Sequence, residues 1–273
     1  MSDELIRTST ADGVRTLTMN NPRRLNGWTF EMMHALRDAF VAAADDDDVS
    51  VVVLTGTDPY YSAGVNLSST IGIDHPKKLR DTIAEQNQSL FDLFLDFDKP
   101  ILVAVNGPAI GATVTSATLC DAVIASEKAT FSTPFARLGV TPEGCSSVHF
   151  PRLMGEQAAR RMLGPEGWQP TGAEAQQVGL VDEVVPHDEL LDRAHEIAAA
   201  WAAEGRGRSF KAGATREELK AINARESQEL ADAFLAAPFL MGQYRFLKSR
   251  GKWGPALTFL ALRATRPAWS RLL

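Results

Sequence analysis

A chain of 273 residues, 45% hydrophobic and 23% charged, has the composition of a folded globular protein and is long enough to bury one large core with an appended segment. Its net charge of −6 at pH 7 gives a polyanion no electrostatic reason to gather on it, so nucleic acid is not an expected partner. No apolar stretch reaches the length of a bilayer span and the acidic start Met1-Ser2-Asp3-Glu4 lacks a basic-then-apolar leader, so a cytoplasmic protein without a membrane partner is expected.

Val14 to Met19 is rich in β-branched residues and ends at Asn20-Asn21-Pro22, which reads as a strand closed by a turn. Thr29 is placed to cap a helix whose Phe30, Met33, Leu36, Phe40 and Val41 recur along one face, and the acidic run Asp45 to Asp48 ends it as a solvated turn. Val51 to Gly56 and Ile101 to Gly107 are continuous apolar runs closed by glycine, which suits strands buried on both faces. Between them Ile83, Asn87, Leu90, Phe94 and Phe97 fall at three- and four-residue intervals and predict a helix over 79–97. A strand over 121–126, a helix over 156–163, a capping-box helix start at Thr171 to Glu174 and a last strand over 181–185 follow. Such alternation argues an α/β fold.

From Asp188 onward the chain is rich in Ala, Glu and Arg with helical spacing and no strand signal, which divides a core over 1–198 from a helical region over 199–273. Gly205 to Arg208 reads as a turn, and Pro238 as the interruption of a later helix. Phe246, Leu247, Trp253, Phe259, Leu262 and Trp269 are too many apolar side chains for a solvated tail, and are expected to pack on the core or on another subunit.

Two glycine-containing segments follow the buried strands. In Tyr61-Ser62-Ala63-Gly64-Val65-Asn66-Leu67 the small residues let backbone approach a ligand, and a turn at Gly64 leaves the Val65 N–H free. Asn106-Gly107-Pro108-Ala109-Ile110-Gly111-Ala112-Thr113 turns from a strand into a helix start near Gly111, whose first N–H groups lack intrahelical partners. Two such donors converging make an oxyanion hole, although either segment alone is more often only a turn. Likewise an acid after proline at a helix start, as in Pro142-Glu143, ordinarily serves the helix dipole, and paired arginines such as Arg23-Arg24 are ordinarily surface charge. His34, His75, His149, His187 and His195 form no metal-binding spacing, Cys120 and Cys145 are expected reduced and buried, and neither a P-loop nor a dinucleotide fingerprint is present. No metal is expected.

Taken together and in order, Asn20 to Gly27, Tyr61 to Leu67 and Asn106 to Thr113 resemble the crotonase (enoyl-CoA hydratase/isomerase) superfamily over about residues 5–190. Within it, Cys120 to Ser126, Ala129 to Phe135 and Gly139-Val140-Thr141-Pro142-Glu143-Gly144-Cys145-Ser146-Ser147 are most similar to Δ3,Δ2-enoyl-CoA isomerases of the peroxisomal type. The resemblance implies a spiral of ββα units with a C-terminal helical trimerisation region, assembled as a homotrimer or a dimer of trimers. It implies Glu143 as the catalytic base, the N–H groups of Val65 and Ala112 as the oxyanion hole, and Arg24, Leu25, Ser62, Ala63, Gly64, Asn66, Gly111 and Phe135 around an acyl-CoA substrate. Coenzyme A enters as part of that substrate and no other cofactor is implied; Lys248 in the tail is a further candidate for contact with it, from a neighbouring subunit.

The family's hydratases use two glutamates, and this sequence has Thr115 and Phe135 in those places. Adding water across a conjugated thioester needs one group to deprotonate water and another to manage the proton delivered to the α-carbon, whereas shifting a double bond needs one base for both carbons. The implied activity is therefore movement of a double bond from the 3- to the 2-position through an oxyanion-stabilised dienolate, in fatty acid β-oxidation. The alternatives are enoyl-CoA hydration, another acyl-CoA reaction such as thioester hydrolysis, or acyl-CoA binding without turnover. Apolar neighbours are expected to raise the pKa of Glu143 toward neutrality. Asn66, Tyr61 and Ala112-Thr113 depart from the Asp, Phe and paired glycines of many relatives, which bears on the fit of the acyl chain.

Overall fold

The computed structural model describes residues 4–65 and 74–273. Its frame is a six-stranded sheet of β1 (Ile6–Ala11), β2 (Val14–Met19), β3 (Val51–Gly56), β4 (Ile101–Val105), β6 (Ala122–Ser126) and β8 (Glu183–Val185), in that spatial order. β1 pairs antiparallel with β2, and every later pair is parallel. The continuous apolar runs of β3 and β4 have a direct cause. Val52, Leu54, Ile101, Val103 and Val105 enter the main core with Trp28, Phe91 and Phe94, while Val51, Val53, Leu102 and Ala104 lie in a second core under α7 (Leu190–Ala203). Both faces are covered, and the one polar side chain of these two strands, Thr55, is buried and donates to Ala104 O at 2.8 Å.

After each long strand the chain makes a second, shorter extended segment. Trp28 bridges to Val65, Ser62 to Ala109, and Thr130 to Thr171. Two short strands, β5 (Ala109–Ile110) and β7 (Phe131–Ser132), pair in parallel within this second row. The row is built from the segments following β2, β3, β4 and β6, and it sets the glycine-containing loops side by side. Around it lie α1 (Phe30–Ala44), α2 (Pro76–Asp96), α3 (Ala112–Thr118), α4 (Phe135–Leu138), α5 (Ser146–Leu163) and α6 (Gly172–Gln177).

Thr29 caps α1 by accepting from the Met32 N–H, and Thr171 and Glu174 form the expected reciprocal capping box. Other expectations are corrected. The buried stripe of α1 is Met32, Leu36, Phe40 and Ala43, leaving Val41 51% exposed and Phe30 and Met33 on the stripe's edge. α5 begins at Ser146 rather than 156, because Pro151 and a non-helical Gly155 (φ 78°) disguise its first half. Strand β1 buries only Ile6, so it carries no alternation to read. Pro238 does not interrupt a helix but sits in the first turn of α9 (Ala237–Ser249), where its missing N–H removes no hydrogen bond.

Residue 198, the expected division between core and tail, falls inside α7. The segment beyond contributes Ala214, Leu219 and Ile222 to the main core. Leu230 and Phe234 of α8 (Arg216–Phe234), Phe239 and Leu247 of α9 and Phe259 of α10 (Trp253–Trp269) form a third cluster on Ile83 and Ala84 of α2. Phe246 and Trp253 remain 53% and 54% exposed. No helix among the described residues is long and apolar enough to cross a membrane.

The segment Gly205 to Arg208 does more than turn the chain. Arg208 donates to the Asp121 carboxylate at 2.6 Å and to the carbonyls of Phe94 and Leu119, with the two side chains 4% and 0% exposed. Removing one partner of such a pair leaves a buried charge uncompensated. Arg208→Met should therefore lose about 3–5 kcal/mol of unfolding free energy in urea denaturation; a loss below about 0.5 kcal/mol, the figure for a surface turn, would contradict this role.

Candidate active site

The loops after β3 and β4 are laced together by their backbones. Ser62 N–H donates to Pro108 O at 3.3 Å and Ile110 N–H to Ser62 O at 3.1 Å, while Gly111 N–H ties the second loop to Ser132 O of β7 at 2.7 Å. Gly64 makes this approach feasible: it has φ +80°, and a Cβ there would overlap the Ile110 carbonyl oxygen. As a result Val65 on one loop and Ala112, the first residue of α3, border the same cavity. Neither N–H has an acceptor among the described residues. The carbonyls of the same peptide units are occupied, Gly64 O by Trp28 N–H at 2.8 Å and Gly111 O by Val114 N–H at 2.9 Å, which fixes both peptide planes.

The cavity holds about 180 Å³ and is walled by apolar side chains of α1, α2, α4 and α8, among them Met33, Leu90, Phe135 and Phe234. Its polar side chains are Gln86, Asn87 and Glu143, and among the described lining residues Glu143 alone is ionisable.

Glu143 lies in the turn between α4 and α5. The next two residues, Gly144 and Cys145, have φ of 63° and 66°. A Cβ on Gly144 would stand 2.5 Å from Phe91 and 2.7 Å from the Thr115 hydroxyl, so the turn is pressed against α2 and α3. Ser146 holds the Glu143 carbonyl from its hydroxyl at 2.6 Å and its N–H at 3.3 Å. The Glu143 carboxyl itself accepts from Asn87 Nδ2 at 2.6 Å, and Asn87 Oδ1 in turn accepts from the Ser227 hydroxyl at 2.8 Å, which orients the amide. The acid therefore faces α2 across the cavity and does not cap its own helix, which sets the dipole reading aside. Burial pushes the Glu143 carboxyl up to about 7; the Asn87 hydrogen bond opposes this and the nearby Glu226 carboxyl adds to it. A base half-ionised near neutrality is matched to proton abstraction.

Seven of the candidate site residues meet around this cavity: Ala63, Gly64, Val65, Gly111, Ala112, Phe135 and Glu143. Ser62 does not line it. Its side chain is buried, donating to Asn26 O at 2.7 Å and accepting from Gly64 N–H at 3.2 Å, so it braces the loop. Leu25 lies beside that loop, its carbonyl accepting from Ala63 N–H at 2.9 Å, and Arg24 is exposed on the same turn. Asn66 lies outside the described residues. Thr115 is buried and bonded to Ala112 O at 3.2 Å. Lys248 stands over the rings of Tyr244 and Trp253. The sequence places Asn87 only in a helical stripe; an amide recurring among apolar residues at that spacing is the one signal of its role.

Residues 9–254 match the family described as enoyl-CoA hydratase/isomerase. The chain belongs to that family. It is 36% identical over 258 residues to Enoyl-CoA delta isomerase 2 of Homo sapiens, covering 91% of this chain and 64% of the human protein. It is also 34% identical over 218 residues to 2,3-dehydroadipyl-CoA hydratase of Escherichia coli (strain K12), covering 80% of each. The chain thus spans less than two thirds of the human relative's length. A crystal structure of an enoyl-CoA hydratase/isomerase from Pseudoalteromonas atlantica T6c superimposes with a TM-score of 0.77 at 29% identity, covering 90% of this chain and 97% of that one. The shared architecture is the crotonase fold expected from the loops.

A raised carboxyl pKa has a signature in stability. Between the ordinary value of 4.5 and about 7 the folded family member keeps a proton on Glu143 that the unfolded chain has lost, so this contribution falls as pH rises through that window. Glu143→Gln, neutral at every pH, should gain up to about 3 kcal/mol relative to the native chain between about pH 5 and about pH 8 in urea denaturation. An identical difference at both pH values would contradict a buried, uncompensated carboxyl.

Proposed function

We propose that this protein is a Δ3,Δ2-enoyl-CoA isomerase. The carrying observation is that, among the described residues, Glu143 is the one ionisable side chain lining an apolar cavity that it shares with two main-chain amides without an acceptor there. Ionised Glu143 takes a proton from C2 of a 3-enoyl-CoA, and the electrons of that C–H bond move into the thioester as its oxygen gains negative charge against Val65 and Ala112. Glu143 then returns the proton to C4, leaving the double bond between C2 and C3. Asn87 holds the carboxylate between the two carbons. Loss of one oxyanion donor costs about 3–4 kcal/mol in well-measured enzymes, so the amides should matter as much as the base.

The identity with a protein named as a delta isomerase supports this reading. The identity with a protein named as a hydratase favours a second one, hydration of a 2-enoyl ester, against which stand Thr115 and Phe135 at the positions where a second carboxylate would be needed. The turn through Arg24 and Leu25, together with Ala63 and Asn66, would take the CoA moiety. A place in fatty acid β-oxidation in the cytoplasm, and assembly as a trimer or a dimer of trimers through the helical region, belong to the same proposal.

Native protein and Glu143→Gln should be incubated separately with 3-hexenoyl-CoA and 2-hexenoyl-CoA. Native protein should convert the first ester to the second, and Glu143→Gln should lower kcat by about 10²–10⁴. Hydration of the 2-enoyl ester with no change in the 3-enoyl ester would overturn the reaction, and normal isomerisation by Glu143→Gln would overturn the base.

A further inference from the structure

The mechanism above leaves one buried carboxyl unused. Glu226 of α8 is 0% exposed. Its Oε1 accepts from the Ser147 N–H at 3.0 Å and from the Ser147 hydroxyl, while its Oε2 has no hydrogen-bond partner among the described residues. No salt bridge reaches it there either: the adjacent Arg225 pairs with Glu229 at 3.6 Å and approaches Glu226 only through the Ser147 hydroxyl, to which it donates at 3.4 Å. Ionising such a group is costly, because one oxygen loses its water and gains nothing in return.

Glu226 is connected to Glu143 by two routes. Ser147 is in the first turn of α5, next to Ser146, which holds the Glu143 carbonyl, so Glu226 clamps the helix start that follows the base. Ser227, the next residue of α8, donates to the Asn87 amide that in turn donates to Glu143. The other groups facing this pocket are the Cys145 thiol, which donates to Leu219 O at 3.1 Å, Arg225 from the solvent side, and Asp92 of α2, bonded to Asn223 at 2.9 Å. None supplies a buried positive charge, so ionisation of either carboxyl opposes ionisation of the other.

We propose that Glu226 is a positioning residue for Glu143: with no buried cation to neutralise either, the charge on one carboxyl opposes ionisation of the other, so the protonation of Glu226 sets the pH at which the base becomes available. The catalytic consequence rests on the isomerase reading; the coupling itself does not. Burial pushes Glu226, like Glu143, up to about 7; the Ser147 hydrogen bonds oppose this at Glu226, and the nearby Glu226 carboxyl adds to the rise at Glu143. A group that only braced the turn would not act this way, since a glutamine would accept the Ser147 hydrogen bonds equally well.

The test is a 13C NMR titration of glutamate side-chain carboxyls in the full chain without substrate, for native protein, Glu226→Gln and Glu143→Gln. Native protein should show two interacting titrations, and replacing either residue should lower the midpoint of the other by roughly one pH unit. The acid limb of kcat/KM for 3-hexenoyl-CoA should move down with Glu143 in Glu226→Gln. An unmoved Glu143 midpoint would overturn the proposal. Should Glu226→Gln fail to fold, Ser147→Ala keeps both carboxyls and removes one donor from Glu226, so the Glu226 midpoint should rise and that of Glu143 fall; unchanged midpoints would again overturn it. Because the titration needs no turnover, absence of isomerase activity in native protein would sink the reaction and leave the coupling standing on its own measurement.

Discussion

A carboxylate buried without a counter-cation is expensive, and the surroundings of Glu143 temper that cost without cancelling it. Aromatic and aliphatic walls raise its pKa, a single amide donor from Asn87 lowers it, and the result lies near neutrality. Two further donors, the Val65 and Ala112 amides, are close enough to share the cavity yet belong to no protein acceptor among the described residues. Both the acid and the amides are thus left short of partners in the resting protein. On the proposed reaction, a thioester enolate, with charge on its oxygen and a proton to give and recover, would satisfy both, which would make the site complementary to a transition state.

The rest of the fold keeps that unsatisfied arrangement from collapsing. Strands β3 and β4, buried on both faces, fix where the two loops begin. The second row of short pairings, with Gly64 against the Ile110 carbonyl, fixes how the loops meet. Gly144, pressed against Phe91 and Thr115, and the two hydrogen bonds from Ser146 fix the turn carrying the acid. Helix α8 closes the cavity with Leu230 and Phe234 and supplies Ser227 behind Asn87, so a segment that reads as an appended tail completes the site.

What was legible in the sequence is what depends on neighbours in the chain. The apolar runs of β3 and β4, the Thr29 cap, the Thr171 capping box and the glycine-containing loops all carry local signals, and the loops and the Pro-Glu-Gly-Cys-Ser-Ser turn together named the family. What was missed depends on distant partners. Asn87 and Glu143 lie 56 positions apart, Glu226 and Ser147 79 apart, and Arg208 and Asp121 87 apart, so nothing near each residue announces its use. In the helical region an isolated Glu or Arg looks like ordinary surface charge until burial is known. The onset of α5 was hidden for a local reason: Pro151 and Gly155 are breakers by rule, and tertiary packing of His149 and Phe150 overrides them.

One carboxyl serving two carbons is tested most directly by following the hydrogen itself. With 3-hexenoyl-CoA deuterated at C2, a single base that returns the proton directly should deliver part of the label to C4 of the 2-enoyl product within the first turnovers. A product whose C4 hydrogen comes wholly from solvent from the first turnover onward would contradict direct return of the abstracted proton from Glu143 to C4.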